Sequence, residues 1–287
     1  MPDYGPIFRE FRLNRQLTLQ DVADEMISVA QLSRFECGRS DLSLSRFLHI
    51  LEKIGLTADE FMDRVNNYQR IEQIRLMAQM AKYHYQRNLA GLAAMVAAED
   101  DKLATDPNNR LASLNRVLFL GAIAELDSSR PLTQTDLDLV SDHLFCTEQW
   151  QINELILIGN LYRFYDTASI CRMVDEVVKR KLFYQEIATH RNLVETTLLN
   201  VMETMVERGE LGHASRYDKV LAPLITNERK AYHRLIYLYV KGFLKQAQGD
   251  KSGISDMEHA IQSFAWMGSD HHAKTYQAHF ERWIQEA

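Results

Sequence analysis

The sequence predicts an all-α protein, and three observations predict it. Apolar residues recur at i, i+3, i+4 and i+7 along one segment after another, the spacing of a helix that buries one face. No strand-like alternation holds over a useful length. Five prolines and twelve glycines are few for 287 residues, which disfavours a turn-rich β architecture. The length suits two domains better than one, and 46% apolar residues are ample for a core. The expected organisation is a domain of five short helices over residues 1–66 and an α-solenoid of tetratricopeptide-like helix pairs over 67–287. The polar pair Asn66-Asn67 marks the seam.

Within the first domain, residues 4–15 read as a helix with Ile7, Phe8, Phe11 and Leu13 inward and Arg9, Arg12 and Arg15 outward. Thr18 caps the next helix, with Asp21 three residues on. Leu19, Val22, Ala23 and Met26 form its apolar stripe, and Ala23 supplies the small residue for a steep crossing. The pattern breaks at Ile27-Ser28. Ser28 then caps a helix carrying Val29, Leu32 and Phe35 inward, and Gly38 stops it. A helix through Ile54 buries Leu44, Phe47, Leu48 and Leu51 and ends at Gly55. Thr57 caps the fifth, residues 58–64, around Phe61.

The third of these helices turns Ala30, Gln31, Ser33 and Arg34 outward. Gln and Arg make paired hydrogen bonds to base edges in the major groove of double-stranded DNA. Gln20 and Ser28 begin their helices, where backbone N–H groups suit a phosphate. The net charge of −6 excludes a protein that coats nucleic acid by bulk attraction. Residues 1–66 hold eight basic and eleven acidic residues, net −3. DNA binding therefore requires segregated charge, with Arg9, Arg12, Arg15, Arg34, Arg39 and Arg46 on one side. An ordinary αα-hairpin with polar faces is the plainer reading of the same pattern.

From Tyr68 the chain is helix after helix. Ile71, Ile74, Met77, Ala78 and Ala81 form one stripe. Helices follow over residues 89–98 and 111–126, with a break at Asp106-Pro107-Asn108, and Thr133 caps another. Turns at 166–167, 209–212, 226–227, 249–253 and 268–270 separate the rest. Tyr239-x-x-Gly242, Gly249-Asp250, Ala260-Ile261 and Phe264 echo a tetratricopeptide repeat, a unit that stacks and leaves a concave face for an extended ligand.

No glycine-rich nucleotide loop, zinc-protease motif or nucleophile elbow occurs, so neither an enzyme nor a cofactor is expected. The residues at 99–101 read as a solvated helix end. His271-His272 would point to different sides of a helix, a poor metal site. Cys37, Cys146 and Cys171 lack metal-ligand spacing and fit a reducing compartment; Cys146 and Cys171 read as core, Cys37 as more exposed. No signal peptide or membrane span is visible, so a cytoplasmic protein is expected.

The most informative stretch of the second domain is EQWQINELILIGNLYRF, residues 148–164. Arg163 stands among apolar residues, where a guanidinium requires an anion. That anion is either internal, Glu154 or Asp166, or a ligand. Asn160, Asn192 and Asn200 lie on apolar helix faces, where an amide grips a peptide backbone or satisfies itself in the core. Tyr162 is a weaker candidate of the same kind.

The run Ala23-x-x-x-Ile27-Ser28-x-x-Gln31-Leu32-Ser33-Arg34-Phe35-Glu36 resembles the DNA-binding domain of the Rgg transcriptional regulators, part of the Xre-type helix-turn-helix class. Its turn is shorter than in phage-repressor-type motifs, as in Rgg proteins. Gly38-Arg39-Ser40 follows the family pattern, whereas Cys37 stands where Arg or Lys is common. Later segments match too, so the resemblance covers nearly the whole chain. It implies a cytoplasmic homodimer that binds promoter DNA and a short hydrophobic signalling peptide imported from outside, as in quorum sensing. It also implies that Arg163 and Tyr232 line the peptide site. In some Rgg proteins a cysteine after the helix-turn-helix links the two DNA-binding domains. Leu44 occupies that position here, so the link is not expected. Two other readings stay open: a helical scaffold for a protein partner, and a regulator that senses a small metabolite.

Overall fold

The computed structural model describes residues 4–69, 72–184 and 187–284, with backbone alone at 180–184 and 284. Ile71 of the predicted stripe lies outside the described residues. Every regular element among them is a helix. The chain divides into two compact units, Met1–Gln79 and Met80–Ala287.

The first unit holds α1 (Tyr4–Asn14), α2 (Leu19–Val22), α3 (Val29–Glu36), α4 (Leu44–Lys53) and α5 (Ala58–Val65). Capping is local chemistry. The Thr18 hydroxyl accepts from the Asp21 N–H, and the Asp21 carboxylate accepts back from the Thr18 N–H. Ser28 with Gln31 and Thr57 with Glu60 repeat the exchange. Each box satisfies two N–H groups that a helix start leaves without partners.

The second helix is shorter than its apolar pattern predicts, because Asp24 ends it. Its carboxylate accepts from the N–H groups of Met26 (2.9 Å) and Ile27 (3.3 Å), and its own N–H donates to the Ile27 carbonyl (2.9 Å). His49 Nε2 and Lys53 Nζ of α4 hold the same carboxylate at 2.7 and 2.9 Å. These partners keep the Asp24 carboxyl well below the usual range, the His49 hydrogen bond most of all. Ala23 thus becomes an extended C-cap and Met26 is exposed. The small residue at a close crossing is Gly5 instead: a Cβ there would strike the Phe35 backbone of α3.

Phe8, Ile27, Leu32, Phe35, Ile50 and Phe61 form the heart of this unit's core. Besides Met26, four predicted core residues, Leu13, Val29, Leu44 and Leu48, are exposed. On α4 the buried stripe is Ile50, Leu51 and the following Ile54, with Phe47 partly buried, so Leu48 turns to solvent and Leu44, opening the helix, is 71% exposed. Arg12 reverses the expectation in the other direction. It is buried, its Nε and Nη2 donating to the two carboxylate oxygens of Glu36 at 2.7 and 2.6 Å and its Nη1 to the Leu17 carbonyl. The guanidinium ties α1 to α3 and to the approach to α2, and the Glu36 hydrogen bonds raise its pKa.

After α6 (Glu72–Tyr85), which spans the division, the second unit contains α7 (Leu89–Thr105), α8 (Arg110–Leu126), α9 (Gln134–Cys146), α10 (Ile152–Leu161), α11 (Thr167–Tyr184), α12 (Ala188–Glu207), α13 (Leu211–Leu221), α14 (Ala231–Ala247), α15 (Ser252–Trp266) and α16 (Asp270–Ile284). From α10 to α16 each helix packs on the next, as do α7, α8 and α9, and α12 touches α10, α11, α13 and α14. The tetratricopeptide-like stretch is the α14–α15 pair. Gly242 and Gly253 face each other so closely that neither site has room for a Cβ, and Tyr239, Ala260 and Phe264 are buried.

Glu99 is not at a solvated helix end. It lies inside α7, buried, with Lys102 Nζ 2.9 Å away. Cys146, expected in the core, is exposed because it closes α9; Cys37 is exposed and Cys171 buried. No helix among the described residues is long and apolar enough to cross a membrane.

Two predictions follow from the first unit. Glu36→Ala leaves Arg12 buried without its anion and should cost about 3–5 kcal/mol in equilibrium urea unfolding, whereas the paired Arg12→Met, Glu36→Leu exchange recovers most of it. Asp24 has a depressed folded pKa, so its contribution is complete above the unfolded carboxylate value of about 3.9 and fades as the pH falls through the folded value. The urea midpoint of the wild type should drop with acidification below that value more steeply than that of Asp24→Asn.

Candidate functional site

Two surfaces carry the predicted site residues, one in each unit. On the first unit Arg15, Gln20, Ser28, Ala30, Arg34 and Arg39 are exposed, and Gln31 and Ser33 are half-buried. Ser28 and Gln31 are also tied to each other, since the Gln31 Oε1 accepts from the Ser28 N–H at 3.2 Å. Arg15 lies over the Phe11 ring, its Cζ 5.6 Å from the centroid. Arg12 drops out of this surface, because it is buried and bonded to Glu36 and Leu17 inside the unit.

In the second unit the site is built on a short 3-10 turn, Tyr162–Phe164, that follows α10. Arg208, capping the end of α12, fixes this turn by donating to the carbonyls of Arg163 and Tyr165, both at 3.0 Å. The Tyr165 hydroxyl adds a bond to the Leu137 carbonyl. The backbone of the turn is therefore held from two sides.

The Arg163 guanidinium donates through Nε to the Tyr162 hydroxyl at 2.9 Å. It makes no ion pair among the described residues. The two internal anions that the sequence offered have other partners: Glu154 takes His143 Nε2 and the Gln151 N–H, and Asp166 takes Ser169. Desolvation works against the charge on Arg163. The Tyr162 hydroxyl and the carboxylates of Glu207 and Glu203 outweigh it, and the pKa rises above its ordinary value.

Arg163 and Tyr85 line two cavities at once. The first, about 640 Å³, also has Asn160, Tyr162 and Asn200 in its wall, together with His84 of α6, Arg87 of the α6–α7 turn and Glu125 of α8. Asn160 donates to the Ile156 carbonyl at 2.8 Å, while the Asn200 amide has no hydrogen bond among the described residues. Amide groups beside a guanidinium that makes no ion pair among the described residues suit a chain that offers peptide groups and a carboxylate. Asn192 is a correction: it is exposed, near the start of α12, and outside both linings.

The second cavity, about 470 Å³, contains Tyr232, Glu203, Glu207, His272 and His279. Tyr232 is paired with His272 Nε2 at 3.2 Å, and burial pushes its hydroxyl up to about 12. Both His271 and His272 line this cavity, the former packed on Tyr85 with ring centroids 4.7 Å apart. The sequence did carry a signal for the missed acids: Asn200, Glu203 and Glu207 are spaced i, i+3, i+7, one face of a helix. Tyr85 and the α16 histidines gave none, because they arrive from distant parts of the chain.

Residues 98–278 match the HTH-type transcriptional regulator Rgg, C-terminal domain. The chain is also similar to solved structures over nearly all its length. The SHP pheromone receptor Rgg2 of Streptococcus dysgalactiae is 26% identical over 97% of this chain and 99% of its own, with a TM-score of 0.80. A transcriptional regulator from Listeria monocytogenes EGD-e is 18% identical over 99% and 98%, with a TM-score of 0.84. A bacterial peptide pheromone/receptor complex is 14% identical over 96% of each chain, with a TM-score of 0.68. The last two likenesses are of fold alone.

Proposed function

The chain belongs to the Rgg family of transcriptional regulators, and from that premise we propose that it is a homodimeric, cytoplasmic, DNA-binding regulator controlled by a short hydrophobic signalling peptide. The observation that carries the peptide half is Arg163, a guanidinium without an ion pair among the described residues, in a cavity wall with Asn160 and Asn200. A peptide carboxylate would fork onto Arg163, and the amides would hold the adjoining peptide groups. Tyr162 acts by orienting Arg163, and Tyr232 faces the neighbouring cavity. That related receptors bind pheromones is supporting context.

Residues 1–66 are proposed as the DNA-binding domain and 67–287 as the domain for peptide binding and dimerisation, with α16 contributing to the dimer. Arg34 reads base edges from α3, Gln31 does so after exchanging its capping bond, and Ala30 packs against them. Ser33, Ser28, Gln20, Arg15 and Arg39 meet phosphates and fix register. Two-fold symmetry sets two copies of α3 on half-sites about one DNA turn apart. Peptide binding shifts the dimer between arrangements by its differential affinity for them.

Two measurements test this. Arg34→Ala should weaken promoter binding in a gel shift by roughly 5- to 150-fold, the loss of one bidentate base contact of about 1–3 kcal/mol; unchanged binding removes α3 from the groove. Titration calorimetry of a synthetic octapeptide library should give Arg163-dependent heat. If no peptide binds, or Arg163→Ala binds equally well, the peptide reading fails.

A further inference from the structure

We propose that the second cavity is a subsite for a cationic side chain of the bound peptide, a lysine standing beside the carboxylate that docks on Arg163. This inference rests on the peptide reading of the first cavity and specifies the ligand further.

The argument begins with one face of α12. Asn200 looks into the first cavity, and Glu203 and Glu207, one and two turns on, line the second. The Glu203 side chain is 12% exposed and accepts no hydrogen bond among the described residues. Its nearest cation is His279 Nε2 at 3.8 Å. The Nδ1 of that imidazole faces the Tyr239 hydroxyl at 2.7 Å, while its buried Nε2, which makes no hydrogen bond among the described residues, also lies 3.4 Å from Glu207. A carboxylate so placed lacks the donors that its burial requires. Burial accordingly pushes the Glu203 carboxyl above its ordinary range, against the pull of His279 and Arg163.

Arg163 supplies part of the compensation for both acids. A ligand carboxylate on Arg163 cancels it. The cations left beside Glu203 and Glu207 are then His279, 3.8 and 3.4 Å away, and Arg282, which is exposed and lies over the Trp283 ring. A cation brought by the ligand replaces the compensation that its carboxylate removes. The walls suit an ammonium group, because Tyr85, Tyr232 and Tyr276 line the cavity together with the acids and a cation is attracted to aromatic faces. A lysine delivers a compact charge with three donors on a flexible stem. Because Arg163 lines both cavities, a residue whose carboxylate reaches it stands at the entrance of the second.

The test is affinity selection on the full-length chain with two pooled synthetic octapeptide libraries, one ending in lysine and one in norleucine, with bound peptides read by mass spectrometry. The expected result is at least tenfold enrichment of the lysine-ended pool on the wild type. That preference is lost in Glu203→Gln, and binding of both pools is lost in Arg163→Ala. Arg163-dependent capture of both pools without a preference overturns the lysine subsite and leaves the peptide reading standing. A preference that persists undiminished in a folded Glu203→Gln variant also overturns it. Capture of neither pool by the wild type overturns the peptide reading and the subsite with it.

Discussion

The helix α12 is enclosed by four neighbours, and that enclosure dictates the chemistry of the second unit. A helix covered on most sides normally carries apolar residues throughout. This one also carries Glu195, Asn200, Glu203 and Glu207, and each polar group must find a partner inside the protein or face a cavity. Glu195 finds partners: Lys230 Nζ at 2.6 Å and His233 Nδ1 at 2.6 Å complete its coordination, so it joins α12 to the start of α14. Asn200, Glu203 and Glu207 face cavities. The division between the two behaviours runs along the helix, from a self-satisfied first half to a second half that confronts open space.

The same logic explains why Arg163 is placed by a turn and not by a helix. The end of α10 gives way to a 3-10 turn whose carbonyls are bound by Arg208 from the end of α12. The backbone under Arg163 is thereby fixed to the helix that supplies Asn200. A ligand group that bridges Arg163 and Asn200 meets two elements already joined, which lowers the ordering cost of binding. In the first unit, Arg12 does the opposite work. With both carboxylate oxygens of Glu36 and a backbone carbonyl as partners, it is a closed structural pair, and its burial keeps it from a phosphate.

Much of the fold was legible in the sequence because the signals are short-range. The capping boxes at Thr18, Ser28 and Thr57 need only a residue three positions on, and the stops at Gly38 and Gly55 need only a left-handed backbone angle. Arg163, Asn160 and Asn200 were legible as polar residues out of place on apolar faces. The errors came where a distant residue decided the outcome. Asp24 ended α2 with the help of His49 and Lys53, a helix away. The exposure of Leu44, Leu48 and Cys146 reflects which faces other elements cover, and hydrophobic periodicity is silent on that.

What the sequence determined by itself is therefore the all-helical class, the capped helix starts at Thr18, Ser28 and Thr57 and the stops at Gly38 and Gly55, since each depends on neighbours within a turn or two. Only the tertiary structure decided that Arg12 is internal, that Asn192 lies outside the cavities, and that α6, α12 and α16 bring Tyr85, Glu203 and His279 around Arg163. The reason is physical: burial and electrostatic partnership are properties of groups adjacent in space, and between these helices the chain runs for scores of residues without encoding which of them will meet.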